Sequence, residues 1–355
     1  MSPTDDQQRD QMARALSAIR KVERRSAVLP RGLRTPLKVR GWEASDGNAG
    51  DFSGRIPVDT TLPPPDGPTV VVHAATAAGL VRLSKFSAAG AIRARAFYPS
   101  TTPPMTLKLV LATGNGRAPI IADVAARTAL GDRLPAPPLL DSGVYRSMAY
   151  LVEPIVFGHH PGAGREKSDT AGTLIRGLLA AHRVAGLRDE PPRLNPLTFE
   201  RLADLFTQVE WSPTWPAPDA LTRECRQIVE SGSTEAIGWC HGDLVYSNVI
   251  IGEDGAVHLV DWEHARIGPV AADFAKLISA TYDPNPALSV LEESVTGDDI
   301  GPRPGRHSLR HQLAISVMRY LSWSPPKRER AASAGRAEIY DRGVRRSIDL
   351  LVELL

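Results

Sequence analysis

Between residues 80 and 155 apolar and polar positions alternate at strand spacing, and beyond 165 they recur at helical spacing. Ile92-Arg93-Ala94-Arg95-Ala96-Phe97-Tyr98 sets an apolar residue against Arg at every second place, as a half-covered strand does. Strand-like runs flank it at 81–86 and 105–111, joined by Ser87-Ala88-Ala89-Gly90 on one side and a Pro-containing turn on the other. A helix is predicted from about Pro119, since proline is tolerated in a first helical turn. Residues 134–140 read as extended, and 147–155 as a further strand interrupted by Pro154, which has no N–H to donate.

Farther on, Leu174, Ile175, Leu178, Leu179 and His182 share one face of a helix predicted over 169–186. On that face His182 reads as a satisfied core histidine. Further helices are predicted over 197–209, 218–231, 269–281, 306–322 and 333–354. At the other end, 5–26 reads as a helix. Thr4 and Gln7 resemble a capping box, and Met12, Leu16, Ile19 and Val22 form a narrow apolar stripe. Arg20, Lys21, Arg24 and Arg25 suit its C-terminal end. Residues 40–68 are rich in Gly, Pro and Asp and read as a semi-rigid linker or cover. The succession predicts an α+β chain with an N-terminal extension (1–68), a small sheet domain with one helix (69–153) and a mainly helical domain (154–355).

The densest chemistry lies in His241-Gly242-Asp243-Leu244-Val245-Tyr246-Ser247-Asn248. Val249-Ile250-Ile251, the turn Gly252-Glu253-Asp254-Gly255 and Ala256-Val257-His258-Leu259-Val260 follow as a hairpin, and then Asp261-Trp262-Glu263. Phosphoryl transfer asks a protein mainly to position groups and neutralise charge. Asp243 is the candidate to orient an acceptor hydroxyl and take its proton. Asn248 can ligate Mg²⁺ without adding charge, and Asp261, at a strand end, can supply a carboxylate to the metal. The hairpin is expected to bring Asn248 and Asp261 together at its open end.

This set of motifs resembles the aminoglycoside phosphotransferase and choline kinase-like family, relatives of the protein kinases. His241, Asp243, Asn248 and Asp261 match the family loop and metal Asp, and Asp273 matches a structural carboxylate beyond the metal site. The resemblance runs in order over roughly residues 69 to 355, with its specific part in 240–275. It implies a bilobal protein kinase-like fold, ATP (or GTP) and Mg²⁺ as cofactors, and transfer to an alcohol group. His241 is then a residue that orients the loop. The fold also needs a strand lysine for the nucleotide phosphates and an acidic partner on the next helix. Of seven lysines, the order of strands favours Lys108 over Lys85, with Asp123 as its partner. Asp departs from the Glu usual at that place and is one methylene shorter. Gly90 is the single glycine of the turn that would cover the phosphates. At the hinge, where Pro154 lacks a donor, the Glu153 carbonyl and the Ile155 N–H are the candidate contacts to the base.

Composition narrows the class. The 355 residues are 42% hydrophobic, enough to fill the cores of two domains. There is no apolar run long enough to span a membrane and no signal-like apolar segment at the N-terminus. The only two cysteines, Cys225 and Cys240, have neither metal-ligand nor disulfide spacing and suggest a reducing, cytoplasmic setting. A net charge of +2 without aromatic-interleaved basic patches does not point to nucleic acid. His159 and His160 follow the hinge, and Trp211 and Trp215 flank prolines in a rigid loop where packing is the simpler expectation.

The acceptor is less legible. Residues 155–235 hold 11 acidic and 9 Lys/Arg residues, so no acidic excess favours a polycationic aminoglycoside. A small molecule or natural product is expected. Ser/Thr of a precursor peptide, with a partner protein docked through residues 1–68, is an alternative, and a nucleotide-binding pseudokinase a further one.

Overall fold

The computed structural model describes residues 14–15, 17–29, 43–44, 70–71, 80–86, 92–98, 101–112, 118–162, 164–281, 283–333, 335 and 337–355. The chain divides into two units. The first takes residues up to Thr128 together with Ala136–His159 and Ile250–His264; the second takes Ala129–Pro135, His160–Val249 and Ala265–Leu355. The hairpin that follows the catalytic-type loop therefore counts with the sheet unit, and not with residues 154–355 as the sequence boundaries had it.

The first unit is built on a five-stranded antiparallel sheet. Its strands are β1 (Leu80–Phe86), β2 (Ile92–Tyr98), β3 (Met105–Leu111), β4 (Asp141–Tyr145) and β5 (Met148–Pro154). Their order is β1-β2-β3-β5-β4. The alternation of β2 is the reason it works: Ile92, Ala94, Ala96 and Tyr98 are buried, while Arg93 and Arg95 are half-buried on the other face. On the first face, Met105, Leu107, Leu109, Met148, Tyr150 and Val152 continue the apolar layer.

An N-terminal helix, α1 (residues 14–23), closes that layer. Ala15, Ala18, Ile19 and Val22 recur at helical spacing and are buried against it. Glu23 is buried beside them and accepts a 2.8 Å hydrogen bond from Tyr98 Oη, and the Arg25 guanidinium lies 3.5 Å from the Tyr145 ring centre. Ile19 and Val22 of the predicted stripe are thus buried against the sheet, while Met12 and Leu16 lie outside the described residues. The opposite sheet face packs on α2 (Ala118–Leu130), where Ile120 and Val124 meet Val110, Ala149 and Leu151.

Three shorter strands form a second sheet. β6 (Gly158–His159) pairs with β9 (Val249–Gly252), which turns into β10 (Val257–Leu259). A Cβ on Gly158 would sit 2.0 Å from the Ile251 carbonyl oxygen, so this close approach requires glycine.

The second unit is mainly helical. It holds α3 (Arg165–Ala185), α4 (Thr198–Gln208), α5 (Pro218–Glu230), α6 (Ala271–Ser279), α7 (Asn285–Ser294), α8 (Leu309–Leu321), α9 (Ser324–Ser333) and α10 (Ala337–Leu354). Leu174, Ile175, Leu178, Leu179 and His182 are all buried on α3. His182 is a core residue but not a satisfied one, because its Nδ1 has no hydrogen-bond partner. Burial pushes its imidazole down to about 4, with only Asp299 pulling the other way.

A small sheet, missed in the sequence, joins β7 (Arg188–Glu190), β8 (Glu235–Cys240) and β11 (Arg266–Pro269) in the order β11-β8-β7. Trp211 packs edge-on between Phe206 and Trp215, and Trp215 Nε1 donates to Asp349 on α10 at 2.8 Å. Both tryptophans are therefore packing residues. No helix among the described residues is long and apolar enough to cross a membrane.

Candidate active site

In the second unit, β8 delivers the chain to His241. Gly242 follows at φ 80°, a left-handed conformation that glycine adopts without steric penalty. Asp273, buried in the first turn of α6, clamps this turn. Its carboxylate accepts the His241 N–H at 2.6 Å and the Gly242 N–H at 3.0 Å. Burial raises the Asp273 carboxyl above its ordinary range, while His241 and the two amides pull it down. His241 is fully buried, and its Nδ1 accepts the Asp243 N–H at 3.2 Å. An accepting Nδ1 assigns the proton of the neutral ring to Nε2.

The Asp243 side chain is held from two sides. Lys276 of α6 forms an ion pair with Oδ1. Asn248 Nδ2 donates to the Asp243 carbonyl at 2.8 Å and lies 3.4 Å from Oδ2. With Nδ2 so engaged, the Asn248 amide oxygen is the atom available to a cation. Asn248 closes a short 3₁₀ turn, Tyr246–Asn248, just before β9. The Tyr246 hydroxyl anchors this turn to α3 by donating to the Lys167 carbonyl at 3.1 Å.

Lys276 did not stand out in the sequence. Its signal was there: it lies three residues beyond Asp273, on the same helical face. One helix thus reaches the loop backbone with one side chain and the loop carboxylate with the other. Cys240, directly before the loop, is buried, and burial raises its thiol well above the ordinary range, so it is no ready nucleophile. His160 Nδ1 lies 2.7 Å from the Val249 carbonyl, which fixes the ring against the start of β9, and His159 is an exposed residue of β6.

The first unit holds a second charged cluster, and here the structure corrects the sequence reading. Lys108 pairs with Glu153 at 2.9 Å, not with Asp123. Asp123 instead lies 3.4 Å from Arg127, one turn along α2, and Arg127 reaches Glu153 at 2.6 Å. The register explains the exchange. Thr106 is paired with Glu153, which puts Lys108 two residues along on the same sheet face, within diagonal reach of the longer carboxylate. Arg127 also donates to the Pro137 carbonyl at 2.5 Å.

All four side chains are buried. Burial raises the Asp123 carboxyl, and Lys108 and Arg127 only partly oppose it. Burial acts on Glu153 the same way, but Lys108 and Arg127 outweigh it and hold the carboxyl below its ordinary range. Of the two carboxyls, Glu153 therefore stays ionised to the lower pH. Ile155 also differs from expectation. Its N–H donates to the Pro104 carbonyl at 2.9 Å, continuing the β3–β5 ladder, and so is already engaged. Gly90 lies outside the described residues.

Asp261 is two residues past the end of β10 and takes φ 64°, rare for a residue with a Cβ though tolerated by Asp. Such a conformation costs roughly 1 kcal/mol or more and persists only where its surroundings fix it. Next to it, Trp262 is fully buried and donates to the Leu259 carbonyl at 3.1 Å. Glu263 accepts from Arg93 of β2 at 2.6 Å. Asn248 directly precedes the hairpin and Asp261 follows it; among the described residues no three His, Cys, Asp or Glu side chains converge as a ready-made metal cage. Finally, a cavity of about 540 Å³ in the second unit borders Gly242 and Lys276.

The chain is 14% identical to an aminoglycoside phosphotransferase from Alicyclobacillus acidocaldarius, over 76% of this chain and 90% of that one, with a TM-score of 0.45. It is 13% identical to the choline kinase LicA of Streptococcus pneumoniae, over 77% and 93%, with a TM-score of 0.44. A probable choline kinase of Arabidopsis thaliana is 40% identical over 47 residues, a match that spans 13% of this chain and 14% of that protein. The sequence profile of the phosphotransferase enzyme family matches residues 116–310, more than half of the chain. The chain belongs to the phosphotransferase enzyme family.

Proposed function

We propose that the protein transfers the γ-phosphoryl group of ATP to the hydroxyl of a small molecule. The observation that carries this reading is the loop at 241–248, where Asp273, Lys276 and Asn248 together fix the backbone and carboxylate of Asp243. Oδ2 of Asp243 is the oxygen assigned to the acceptor proton, since Lys276 engages Oδ1 more closely than Asn248 Nδ2, at 3.4 Å, engages Oδ2. As the hydroxyl oxygen bonds to the γ-phosphorus, its proton passes to Asp243 and the bond from phosphorus to the β–γ bridging oxygen breaks. The products are ADP and a phosphate ester.

His241 is a positioning residue, acting through the Asp243 amide that it accepts. Lys108 is assigned to the nucleotide phosphates. Glu153 fixes it in place of the expected Asp123, which serves to orient Arg127. The Ile155 N–H is left out of base recognition because the sheet uses it. Asn248 and Asp261 offer two hard oxygen donors, which suits Mg²⁺, a cation that commonly binds through one or two carboxylates, waters and substrate phosphates. When bound, the metal neutralises charge on the phosphates. The measurement that tests the reading is ADP release from ATP with and without alcohol acceptors. Asp243→Asn is expected to abolish acceptor-dependent release, and unchanged release in that variant would sink the proposed role.

A further inference from the structure

The cavity beside Lys276 has a charge pattern that the sequence did not reveal. It lies within the second unit, walled by β8, β11, α6, α8 and the segment after β7. Five cations line it, Arg188, Arg193, Arg266, Lys276 and Arg319, against three carboxylates. Each carboxylate is already committed. Glu190 is shared by Arg188 at 2.7 Å and Arg193 at 3.1 Å. Glu235 takes both terminal nitrogens of Arg319. Asp273 holds the two loop amides.

Two features remain for a ligand. One carboxylate neutralises two guanidinium groups at Glu190, and Arg266 is exposed and forms no direct ion pair among the described residues, its charge felt by the buried Asp273 that the loop amides already hold. Apolar surface adjoins these charges, with Trp323 52% and Ile267 44% exposed. An exposed indole beside spare guanidinium groups suits a ligand with one flat or apolar part and one anionic part. A polycation would find no uncommitted carboxylate and would face a cationic excess. The cations also answer a problem of the chemistry, because an anionic acceptor must approach the carboxylate of Asp243 and the nucleotide phosphates, all of like sign.

We propose that this cavity binds the acceptor alcohol and selects one carrying an anionic group, a carboxylate or a phosphate, through Arg266 and the Arg188–Glu190–Arg193 triad. The inference rests on the phosphotransferase reading for the word acceptor, while the anion preference stands on the cavity alone. The test uses the full chain and three probes, phenyl phosphate, phenylacetate and 2-phenylethylammonium, with affinities read by ligand-observed NMR titration. At least one anion is expected to bind ten-fold or more tightly than the ammonium, and the choice between the two anions names the group. Arg266→Glu and Arg193→Glu should each weaken the anion at least ten-fold, and Arg223→Glu, exposed on α5 away from the cavity, should not. Far-UV circular dichroism establishes that these variants fold.

Equal or tighter binding of the ammonium, no binding of either anion, or anion binding indifferent to both cavity variants would overturn the proposal. ATP turnover by the wild-type chain is measured alongside. An enzyme that releases ADP but lacks the anion preference loses only the cavity assignment. A chain that binds the anion and releases no ADP with any alcohol loses the phosphotransferase reading, and with it the acceptor role of the cavity.

Discussion

Two ion-paired clusters, one in each unit, handle charge in opposite ways. In the first, Lys108, Glu153, Arg127 and Asp123 are all nearly sealed from water, with the Lys108 and Glu153 side chains 10% and 6% exposed. In the second, Lys276 and Asp243 are 28% and 39% exposed. Burying charges is expensive, and their attraction repays it only when every partner stays in place. The first cluster is therefore a rigid piece of scaffold that presents Lys108 at one position. The second keeps water access, so its ion pair contributes little to stability and can rearrange as a substrate hydroxyl arrives. On the proposed function, placement of phosphates and transfer of a proton would thus draw on different electrostatic regimes within one chain.

The sharpest way to break that comparison is Asp243→Asn. It should lower acceptor-dependent turnover by about a thousand-fold while the melting temperature barely moves, since general-base groups contribute roughly 10²–10⁴ in rate. A large loss of stability would show the loop pair to be scaffold as well. Arg127→Met is the mirror experiment. It strands Asp123 and Glu153 in the interior, and chemical denaturation is expected to show a loss of roughly 3–5 kcal/mol. A change below about 1 kcal/mol would mean that the first cluster is no more structural than the second.

A third prediction uses pH. His182 titrates at about 4 in the folded protein against 6.5 ordinarily, because burial disfavours its charged form. Its contribution is fully present above 6.5 and is lost as pH falls toward 4, by roughly 3 kcal/mol. Denaturation midpoints of wild type and His182→Leu should therefore diverge across that window, with the variant flatter. Parallel curves would show that the imidazole is hydrated in the native state. The smallest effect is expected from Lys276→Met: about a ten-fold loss in kcat, near 1.4 kcal/mol, with stability changed by less than about 1 kcal/mol.

Local pattern made much of this structure legible. The alternation of Ile92 to Tyr98, the stripe with Ile19 and Val22, and the α3 face with Leu174 and Leu178 record burial directly, and those elements lie where the periodicity puts them. The loop at 241–248 stood out as a motif because the chemistry proposed for it demands fixed spacing. Contacts that depend on register were not. That Glu153 rather than Asp123 meets Lys108 follows from which residues face each other across β3 and β5, and a single strand does not carry that information. Ile155 was misjudged for the same reason, since its donor is spent on a ladder partner 51 positions earlier in the chain. Short strands such as β7 and β11 lack the length for a periodic signal. The cavity cations escaped notice because they come from 188–193, 266–276 and 319, while the acid and base counts over 155–235 saw only the first of these.

Asp273 and Lys276 occupy one face of a nine-residue helix, α6, and that arrangement constrains how such a loop can change over generations. Inserting one residue between them would swing Lys276 by about 100° around the helix axis while leaving Asp273 in place. The backbone would keep its clamp and the carboxylate would lose its cation. The loop at 241–248 and the helix at 271–279 are therefore heritable only as a matched pair, although some thirty residues separate their starts. A chimera that exchanges the loop alone between relatives should inherit the wrong charge environment, whereas one that exchanges both segments should carry its activity with it.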